Sequence, residues 1–255
     1  MSVNWIGLYT FVRREVTRFL RVSVQTLVSP WISATLFIFV FGKVIGGNIG
    51  NIAGVSYIEF VLPGVLMMNM LTSAFSHSSS SLYFQRFARH IEEILVAPLS
   101  YAEMIIGYLS GAIIRGTIIG LGILMIGLFF GVTHIEHPFI FIFYILGVST
   151  VFGLLGLLVG LWADGFEQLA VLTTFIITPL SFLGGMFNSL SMLPPLMQTL
   201  TRANPFFYFN DGLRYAMTGQ HETSLVVGAV IILTLLAVSF TLVFVLFSRG
   251  WRLRA

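Results

Sequence analysis

The stretch that decides the fold of this chain runs from Thr178 to Arg214 and reads TPLSFLGGMFNSLSMLPPLMQTLTRANPFFYFNDGLR. It begins as the end of an apolar helix and is then interrupted by glycines and prolines, namely Gly184, Gly185, Pro194, Pro195 and Pro205. Non-helical backbone at membrane depth is tolerated only where protein covers it or water reaches it. The stretch therefore predicts a mouth, a lid or a path in a chain that otherwise consists of long apolar helices.

The composition of the whole chain indicates a membrane protein. Of its 255 residues, 57% are hydrophobic and only 9% are charged, whereas about a quarter are charged in soluble proteins. Apolar runs long enough to cross a hydrocarbon core of about 30 Å lie at 27–46, 58–80, 103–131, 138–161, 169–187 and 225–247. We expect an all-α membrane protein with six transmembrane helices in a single domain, 1–255. The absence of cysteine excludes disulfides and thiolate chemistry.

Residues 1–26 predict an amphipathic helix along the membrane surface. One helical face carries the apolar residues Val12, Val16, Phe19 and Leu20, and another carries the polar residues Arg14, Arg18, Arg21 and Gln25. A helix of this kind is typical of the membrane interface. The apolar run that follows is full length and has no small-residue cleavage site after it, which argues against a signal peptide. We interpret the segment as a retained elbow helix.

Basic residues are concentrated on one side of the predicted membrane. With six spans and the N-terminus inside, the inner side receives nine of the thirteen Lys and Arg residues, which are Arg13, Arg14, Arg18, Arg21, Arg86, Arg89, Arg249, Arg252 and Arg254. Cytoplasmic loops carry an excess of Lys and Arg. We therefore expect both termini in the cytoplasm, which places residues 188–224 on the outer side.

The largest predicted cytoplasmic loop covers residues 84–101. Its centre, 89–97, has the spacing of a short amphipathic helix that ends before Pro98, with Ile91, Ile94 and Leu95 as apolar residues and Glu92 and Glu93 as exposed acids. One interpretation is a solvated connector on the membrane surface. The other is a docking helix that inserts into a groove on a cytoplasmic partner.

Two segments on opposite sides of the membrane carry a family resemblance. The inner one is IEEILVAPLSYAEMIIGY, residues 91–108, and the outer one combines TPLSFLGGMF, LPP, NPFFY and GLR within 178–214. Together, in this order and at this spacing, they resemble the type-2 ABC transporter permeases. That family includes the membrane subunits of bacterial drug, lipo-oligosaccharide and polysaccharide exporters, and the chain is similar to its small bacterial permeases over nearly its whole length.

The resemblance implies more than the composition does. Permeases of this family have an elbow helix, six membrane helices and two re-entrant half-helices before the sixth, which correspond here to 188–224. Their coupling helix between spans two and three docks on an ATPase, and the matching residues are Arg89, Ile91, Glu92, Glu93, Leu95 and Pro98. The resemblance therefore implies an inner-membrane homodimer with two ATPase subunits, which hold ATP and Mg²⁺, and an amphipathic or lipid-linked substrate exported by alternating access.

The sequence contains no motor of its own. A Walker-type phosphate loop needs Gly-Lys followed by Ser or Thr, but Val44 follows the single lysine, Lys43. We therefore expect no enzyme activity and no cofactor in this chain, with energy from a partner ATPase or from an ion gradient. An ion-coupled secondary transporter of a small hydrophobic solute is the alternative. Such carriers usually place a carboxylate within the spans, whereas Glu59 and Glu103 lie near span ends.

A membrane metalloenzyme is a weaker alternative. His134 and His137 flank Glu136 in the predicted outer loop between spans three and four. Two histidines three residues apart can bind a metal ion, but a site needs a third ligand. We therefore favour a polar hairpin without metal, and we expect no nucleic acid among the partners.

Two features near the predicted pathway leave alternatives open. Arg115 lies about a dozen residues inside span three, where a lone charge is costly, so it either makes a structural pair or contacts an anionic substrate. The outer aromatic residues Phe206, Phe207, Tyr208 and Phe209 either anchor the segment at the interface or form a lid over the substrate. Asp211 and Arg214, three residues apart, can pair as a salt bridge that holds the outer half-helices shut.

Overall fold

The structure is a computed structural model that describes residues 4–49, 51–52, 54–132 and 135–253, with only the backbone of Lys43, Ile45, Asn48 and Ile49. Its α-helices are α1 (Trp5–Leu20), α2 (Ser29–Phe37), α3 (Gly46–Ile49), α4 (Tyr57–Phe87), α5 (Ile91–Val96), α6 (Tyr101–Phe129), α7 (Pro138–Trp162), α8 (Phe166–Leu172), α9 (Thr178–Leu183), α10 (Pro195–Ala203), α11 (Pro205–Thr218) and α12 (Leu225–Ser248). The described strands are β1 (Asn51–Ile52) and β2 (Val55–Ser56), which pair antiparallel.

Six helices in the described part of the chain are long and apolar enough to cross a membrane. They are Val24–Gly42, Tyr57–Phe87, Tyr101–Phe129, Pro138–Trp162, Phe166–Leu183 and Leu225–Ser248, numbered here as spans one to six. The predicted all-α membrane fold with six spans is thereby confirmed. The predicted end of span two at residue 80 is too early, because the helix continues to Phe87.

Spans one and five each contain a π-helical turn just before a proline, at the start of span one and in the middle of span five. The turns cover Val24–Val28 and Thr173–Ile177, and the prolines are Pro30 and Pro179. Proline has no N–H for the helical ladder, and a π turn accommodates such a local change of register. The N–H of Ser29 accordingly donates to the carbonyl of Val24, five residues earlier. These two spans also bury the least surface within the chain, so they leave broad apolar faces uncovered.

The core of the bundle is formed by α4, α6 and α7, and small residues let α4 and α7 approach closely. A Cβ atom added to Gly156 of α7 would lie 2.5 Å from the carbonyl oxygen of Phe75 and 3.0 Å from Cβ of Ser78. Small residues at such contacts let helix backbones pack in van der Waals contact in a membrane. The serine run Ser78–Ser81 therefore belongs to a helix interface, since Ser78, Ser79 and Ser81 are buried.

The change Gly156→Ala is expected to lower the unfolding temperature of the purified permease. The added methyl group overlaps backbone atoms of α4, and overpacking of this kind costs about 1–3 kcal/mol. Gly165→Ala is the matched control, because a Cβ atom at Gly165 meets no atom within 4 Å. Equal unfolding temperatures for the two variants in detergent would contradict this account of the α4–α7 contact.

The start of α1 and the last described residues lie at the same end of the bundle, which we call the basic end. A cluster of buried apolar residues there joins α1, α5, the last turns of α7 and α12 and the C-terminal residues, through Phe11, Ile91, Ile94, Leu161, Phe247 and Leu253. The described arginines of the basic end are Arg13, Arg14, Arg18, Arg21, Arg86, Arg89, Arg249 and Arg252. The β1–β2 pair, the start of α7 and the interrupted stretch lie at the opposite end.

Two arginines of the basic end cap α7. Arg86 Nη1 donates to the carbonyl oxygens of Gly160 (2.7 Å) and Ala163 (3.2 Å). Arg252 Nη1 donates to the carbonyl of Trp162 and lies 3.2 Å from Oδ1 of Asp164. Cations are stabilised at the C-terminus of a helix because the last carbonyls are unpaired there. Part of the charge bias seen in the sequence therefore has a structural role.

Candidate functional site

The interrupted stretch folds into two short helices, α10 and α11, at the opposite end of the bundle. Helix α11 starts at an Asn-Pro pair, in which Oδ1 of Asn204 accepts a hydrogen bond from the N–H of Phe206 and Pro205 occupies the first turn. Asparagine at the cap and proline in the first turn are favoured helix starts. The Nδ2 atom of Asn204 donates to the carbonyl of Leu180 at 2.7 Å, which ties this start to span five.

Helix α11 reaches only part of the way through the bundle. Its first turn lies beside the middle of α7, where the rings of Phe206 and Phe152 are 5.3 Å apart. Its last turn lies beside the start of α7, where the N–H of His137 donates to the carbonyl of Ala216 at 2.9 Å. A helix of 14 residues is about 20 Å long, shorter than a hydrocarbon core of about 30 Å. This is the geometry of a half-helix.

Both glycines of the interrupted stretch make room for α11. A Cβ atom on Gly184 would lie 3.0 Å from Cβ of Phe206, and Gly185 has a φ of +70°, a conformation that favours glycine. Pro194 and Pro195 mark the start of α10, since Pro194 is its extended N-cap and Pro195 its first residue. The predicted break residues thus coincide with the helix boundaries that produce the half-helix.

Three of the four consecutive aromatic residues are buried inside the chain. Phe206, Phe207 and Phe209 belong to its buried interior. Tyr208 is half-buried, and its hydroxyl donates to the carbonyl of Arg202 at 2.9 Å. It also lines a groove of about 380 Å³ against α12. The sequence left open whether these residues anchor the segment or form a lid over the substrate. In this fold the three phenylalanines pack inside the chain, and of the four residues only Tyr208 is partly exposed.

Arg214 anchors α11 to two other segments. Its side chain is 1% exposed, and its guanidinium donates to the carbonyl of Gly185 through Nη2 and to that of Phe60 through Nε. The guanidinium carbon also lies 3.7 Å from the centre of the Phe60 ring, a cation–π contact. A planar guanidinium can hold several partners at once, so this arginine joins α11, span two and the chain after span five.

Asp211 holds the loop that leads into span six. Its carboxylate accepts hydrogen bonds from the N–H groups of Glu222 and Thr223, both at 2.9 Å, and from the Thr223 hydroxyl at 2.6 Å. The predicted pair with Arg214 is long, at 3.9 Å between Oδ1 and Nη1. Both side chains therefore fix the outer hairpin mainly through separate partners, and their pairing is secondary.

At the basic end, α5 turns one face inward and one outward. Ile91 and Ile94 are buried against the chain itself, and Leu95 is half-buried beside them. Ile91 therefore cannot supply direct contacts to a partner, contrary to the sequence-based expectation for this residue. The spacing of three residues places both isoleucines on the inner face of the short helix.

The outward face of α5 is acidic with one large apolar residue. Glu92, Glu93 and Pro98 are exposed, and Val96 is 85% exposed. Arg89, just before the helix, has a φ of 59°, which is uncommon for a residue other than glycine. The sequence prediction of a docking helix stays a prediction, and Val96 is its most exposed apolar candidate.

The most elaborate polar cluster of the described residues was missed by the sequence analysis. It is centred on Glu15 of α1, whose side chain is fully buried. Its carboxylate accepts a hydrogen bond from the Ser81 hydroxyl at 2.6 Å and lies 3.3 Å from Nε2 of His77 and from Nη2 of Arg18. Since Phe11, Glu15 and Phe19 are four residues apart, they share one helical face. This spacing is the feature of the sequence that could have placed Glu15 on the buried face of α1.

The Glu15 cluster extends into α4 and α6. Nε2 of Gln85 donates to the second carboxylate oxygen of Glu15 at 3.2 Å, and the hydroxyl of Tyr108 donates to Oε1 of Gln85 at 2.6 Å. Helix α6 approaches α1 through Gly107 and Gly111, where added Cβ atoms would lie 2.4 Å from the Phe11 ring and from His77 respectively. Elbow, span two and span three are therefore tied together by one polar network.

Glu15 is ionised in this network. Burial raises the pKa of its carboxyl, but the hydrogen bonds from His77 and Ser81 and the charge of Arg18 outweigh burial and lower the pKa to about 2. Hydrogen bonds and positive charges favour the carboxylate in this way. A negatively charged carboxylate is therefore buried next to the arginines of α1.

Arg115 of α6 points toward the same region without joining the cluster. Within the described residues it makes no hydrogen bond or ion pair, and its Nε atom is buried without a partner. The predicted structural pair is therefore absent among these residues, while the predicted substrate contact stays a prediction. A charge without a partner inside an apolar span is costly. Arg115 therefore needs a partner that the described residues of this chain do not supply.

The carboxylates considered for ion coupling have structural roles. Glu59 accepts from the N–H and hydroxyl of Ser56, and Glu103 does the same with Ser100, so both complete capping boxes at the starts of α4 and α6. Oε1 of Glu103 also accepts from the N–H of Asn4 at 2.7 Å, which holds the elbow.

The suggested histidine pair of the opposite end is only partly described. His137 stacks on Tyr215 with ring centres 4.6 Å apart, whereas His134 lies outside the described residues. The described residues contain no group of three or more potential metal ligands. The geometry of His137 is that of a packing residue beside α11.

Comparison with known proteins assigns the chain to a family. The family model described as ABC-2 type transporter matches residues 7–218, which include most of α1 and all of α5 and α11. The chain is 38% identical to "Inner membrane transport permease YadH" of Escherichia coli (strain K12), over 100% of both proteins. It is 27% identical to "Nodulation protein J" of Rhizobium meliloti (strain 1021), over 85% of this chain and 82% of that protein. The resemblance seen in the sequence is therefore confirmed, and the chain belongs to the ABC-2 type transporter family.

Proposed function

We propose that this chain is the transmembrane permease subunit of an ATP-driven exporter in a bacterial inner membrane. The observation that carries the proposal is the family match over 7–218, supported by the similarity to an inner membrane transport permease of Escherichia coli. In the proposed assembly, two copies of this chain combine with two ATPase subunits that hold ATP and Mg²⁺. Both termini and α5 face the cytoplasm, because the basic end carries the excess of arginine.

The proposed mechanism is alternating access. ATP binding brings the two ATPase subunits together and moves α5, and the permeases rock to open a path at their interface. The inner face of α5 packs on α1 and α6 through Ile91 and Ile94, so a push on its outer face is transmitted into the bundle. The outer hairpin of α10 and α11 closes the opposite end. An amphipathic or lipid-linked substrate suits the broad apolar faces of spans one and five.

The change Val96→Asp is expected to abolish stimulation of the ATPase by the permease. It places a charge in the centre of the proposed apolar contact, whereas exposed charge pairs contribute only about 1 kcal/mol or less, so Glu92→Gln should retain nearly full stimulation. Leu95→Asp is also expected to release the ATPase, but Leu95 is half-buried in its own chain. Val96→Asp is therefore the cleaner variant.

The measurement is ATP hydrolysis by the separately purified ATPase mixed with each permease variant in lipid nanodiscs, with the unfolding temperature of the permease as a control for folding. Equal loss in Val96→Asp and Glu92→Gln would contradict the proposed division between apolar and charged contacts. Full stimulation in both would contradict docking through α5.

A further inference from the structure

A groove of about 770 Å³ opens at the basic end, between α1, the last turn of α4 and α5. Four arginines of the elbow line it, namely Arg13, Arg14, Arg18 and Arg21. Val22 and Phe84 form an apolar part of its wall, and both are exposed. The groove thus combines a concentrated positive charge with an apolar wall.

The charge of the groove is not neutralised by the chain. Glu93 is the one carboxylate of the lining, and Glu15 lies buried behind it. Four arginines against these two carboxylates leave two positive charges. Within the described residues, Arg13 and Arg21 form no hydrogen bond or ion pair through their side chains, whereas Arg14 and Arg18 both contact Glu15. Two free guanidinium groups therefore face the groove.

The groove lies where the elbow enters the membrane. Arg21 precedes span one by only three residues, because that span begins at Val24. Val22 and Val24 are exposed and continue into the uncovered apolar face of span one. Arginine at this depth extends its charged group to the headgroup region while its stem stays in apolar surroundings.

We propose that this groove binds the phosphate-bearing headgroup of an anionic membrane lipid. Arg13 and Arg21 contact the phosphate, since a guanidinium presents donors in a fork that matches phosphate oxygens. The acyl chains leave past Val22 and follow the apolar face of span one. A membrane lipid is favoured over a protein partner as the occupant, because the apolar wall at Val22 continues into the uncovered face of span one.

The site is tested by native mass spectrometry of the full-length permease titrated with palmitoyl-oleoyl phosphatidylglycerol. The double variant Arg13→Gln/Arg21→Gln is expected to bind this lipid about tenfold or more weakly than the wild type, because two charge-assisted hydrogen-bonding groups are lost. Arg249→Gln is the matched control, since Arg249 is exposed at the same end of the bundle but does not line the groove. It is expected to bind like the wild type.

Two further measurements identify the molecule that binds in the groove. Millimolar inorganic phosphate is expected to leave lipid binding and the unfolding temperature unchanged; stabilisation by phosphate equal to that by the lipid would overturn the assignment to a lipid. Equal lipid binding by the wild type and the double variant would overturn the lipid site. If the double variant kept its lipid affinity but lost the ATPase, the groove would be a contact with a protein. Comparable unfolding temperatures of the two proteins without lipid exclude misfolding as the cause of weaker binding.

Discussion

Replacement of Arg214 by leucine is expected to destabilise the permease by about 3–5 kcal/mol, the cost of removing one member of a buried charged contact. Leucine keeps much of the volume but leaves the carbonyls of Phe60 and Gly185 without their donor. Each unsatisfied buried group costs about 1–3 kcal/mol. Because Arg214 bonds both of these segments to α11, the outer hairpin should open first.

The expected readout is faster proteolysis within residues 188–204, together with a lower unfolding temperature in detergent. Arg214→Lys should lie between the wild type and Arg214→Leu, since an ammonium group lacks the planar fork of a guanidinium. Arg202→Leu is the matched control, because Arg202 belongs to the same hairpin and its side chain is exposed. If Arg202→Leu and Arg214→Leu destabilise the protein equally, Arg214 is not the anchor.

Replacement of Glu15 by glutamine is expected to have a similarly large effect at the basic end. The carboxylate is surrounded by donors from His77, Ser81, Gln85 and Arg18, and loss of the buried charge leaves Arg18 uncompensated. Breaking a buried pair costs about 3–5 kcal/mol. The elbow should then detach from α4 and α6, which makes α1 more susceptible to proteases.

The pH dependence of this contribution has a defined sign. The pKa of Glu15 falls from the ordinary value of 4.5 to about 2 in the folded chain. A group with a depressed folded pKa stabilises the protein above its unfolded pKa, and the stabilisation is lost as the pH falls toward the folded pKa. The stability difference between wild type and Glu15→Gln should therefore be constant above about pH 5.5 and shrink between pH 4.5 and about 2.

A matched variant and a double variant separate this network from general charge effects. Glu167→Gln removes an exposed carboxylate of α8 and should change stability by about 0.5 kcal/mol or less. Arg18→Gln should cost less in a Glu15→Gln background than in the wild type, because residues of one network do not act additively. Additive losses would show that Glu15 and Arg18 are independent.

The spans and the broken stretch were predictable because both rest on local properties. Apolar length alone defines a span. The glycines that interrupt the stretch follow the end of α9, and its prolines start α10 and α11. The end of span two was placed too early, at residue 80, inside the serine run Ser78 to Ser81. In the fold, Ser78 and Ser79 contact glycines of α7 and Ser81 contacts Glu15 of α1, within a helix that continues to Phe87.

The polar network was not predictable by the same reasoning. The elbow was assigned by separating apolar from basic residues, and Glu15 fits neither group. Its partners His77, Ser81 and Gln85 lie more than 60 residues away in the sequence, so only tertiary packing reveals them. Ile91 illustrates the same limit, because spacing identifies an apolar face without showing whether that face meets a partner or the chain itself.

The proposed assembly can be tested by native mass spectrometry of the complex extracted from its own membrane. We expect one assembly that contains two copies of this 28.3 kDa chain and two copies of a protein with a Walker-type phosphate loop, and loss of the second protein in Val96→Asp. Recovery of the permease without any such protein, together with uptake or efflux that collapses when an ionophore removes the ion gradient, would contradict the account and favour an ion-coupled carrier.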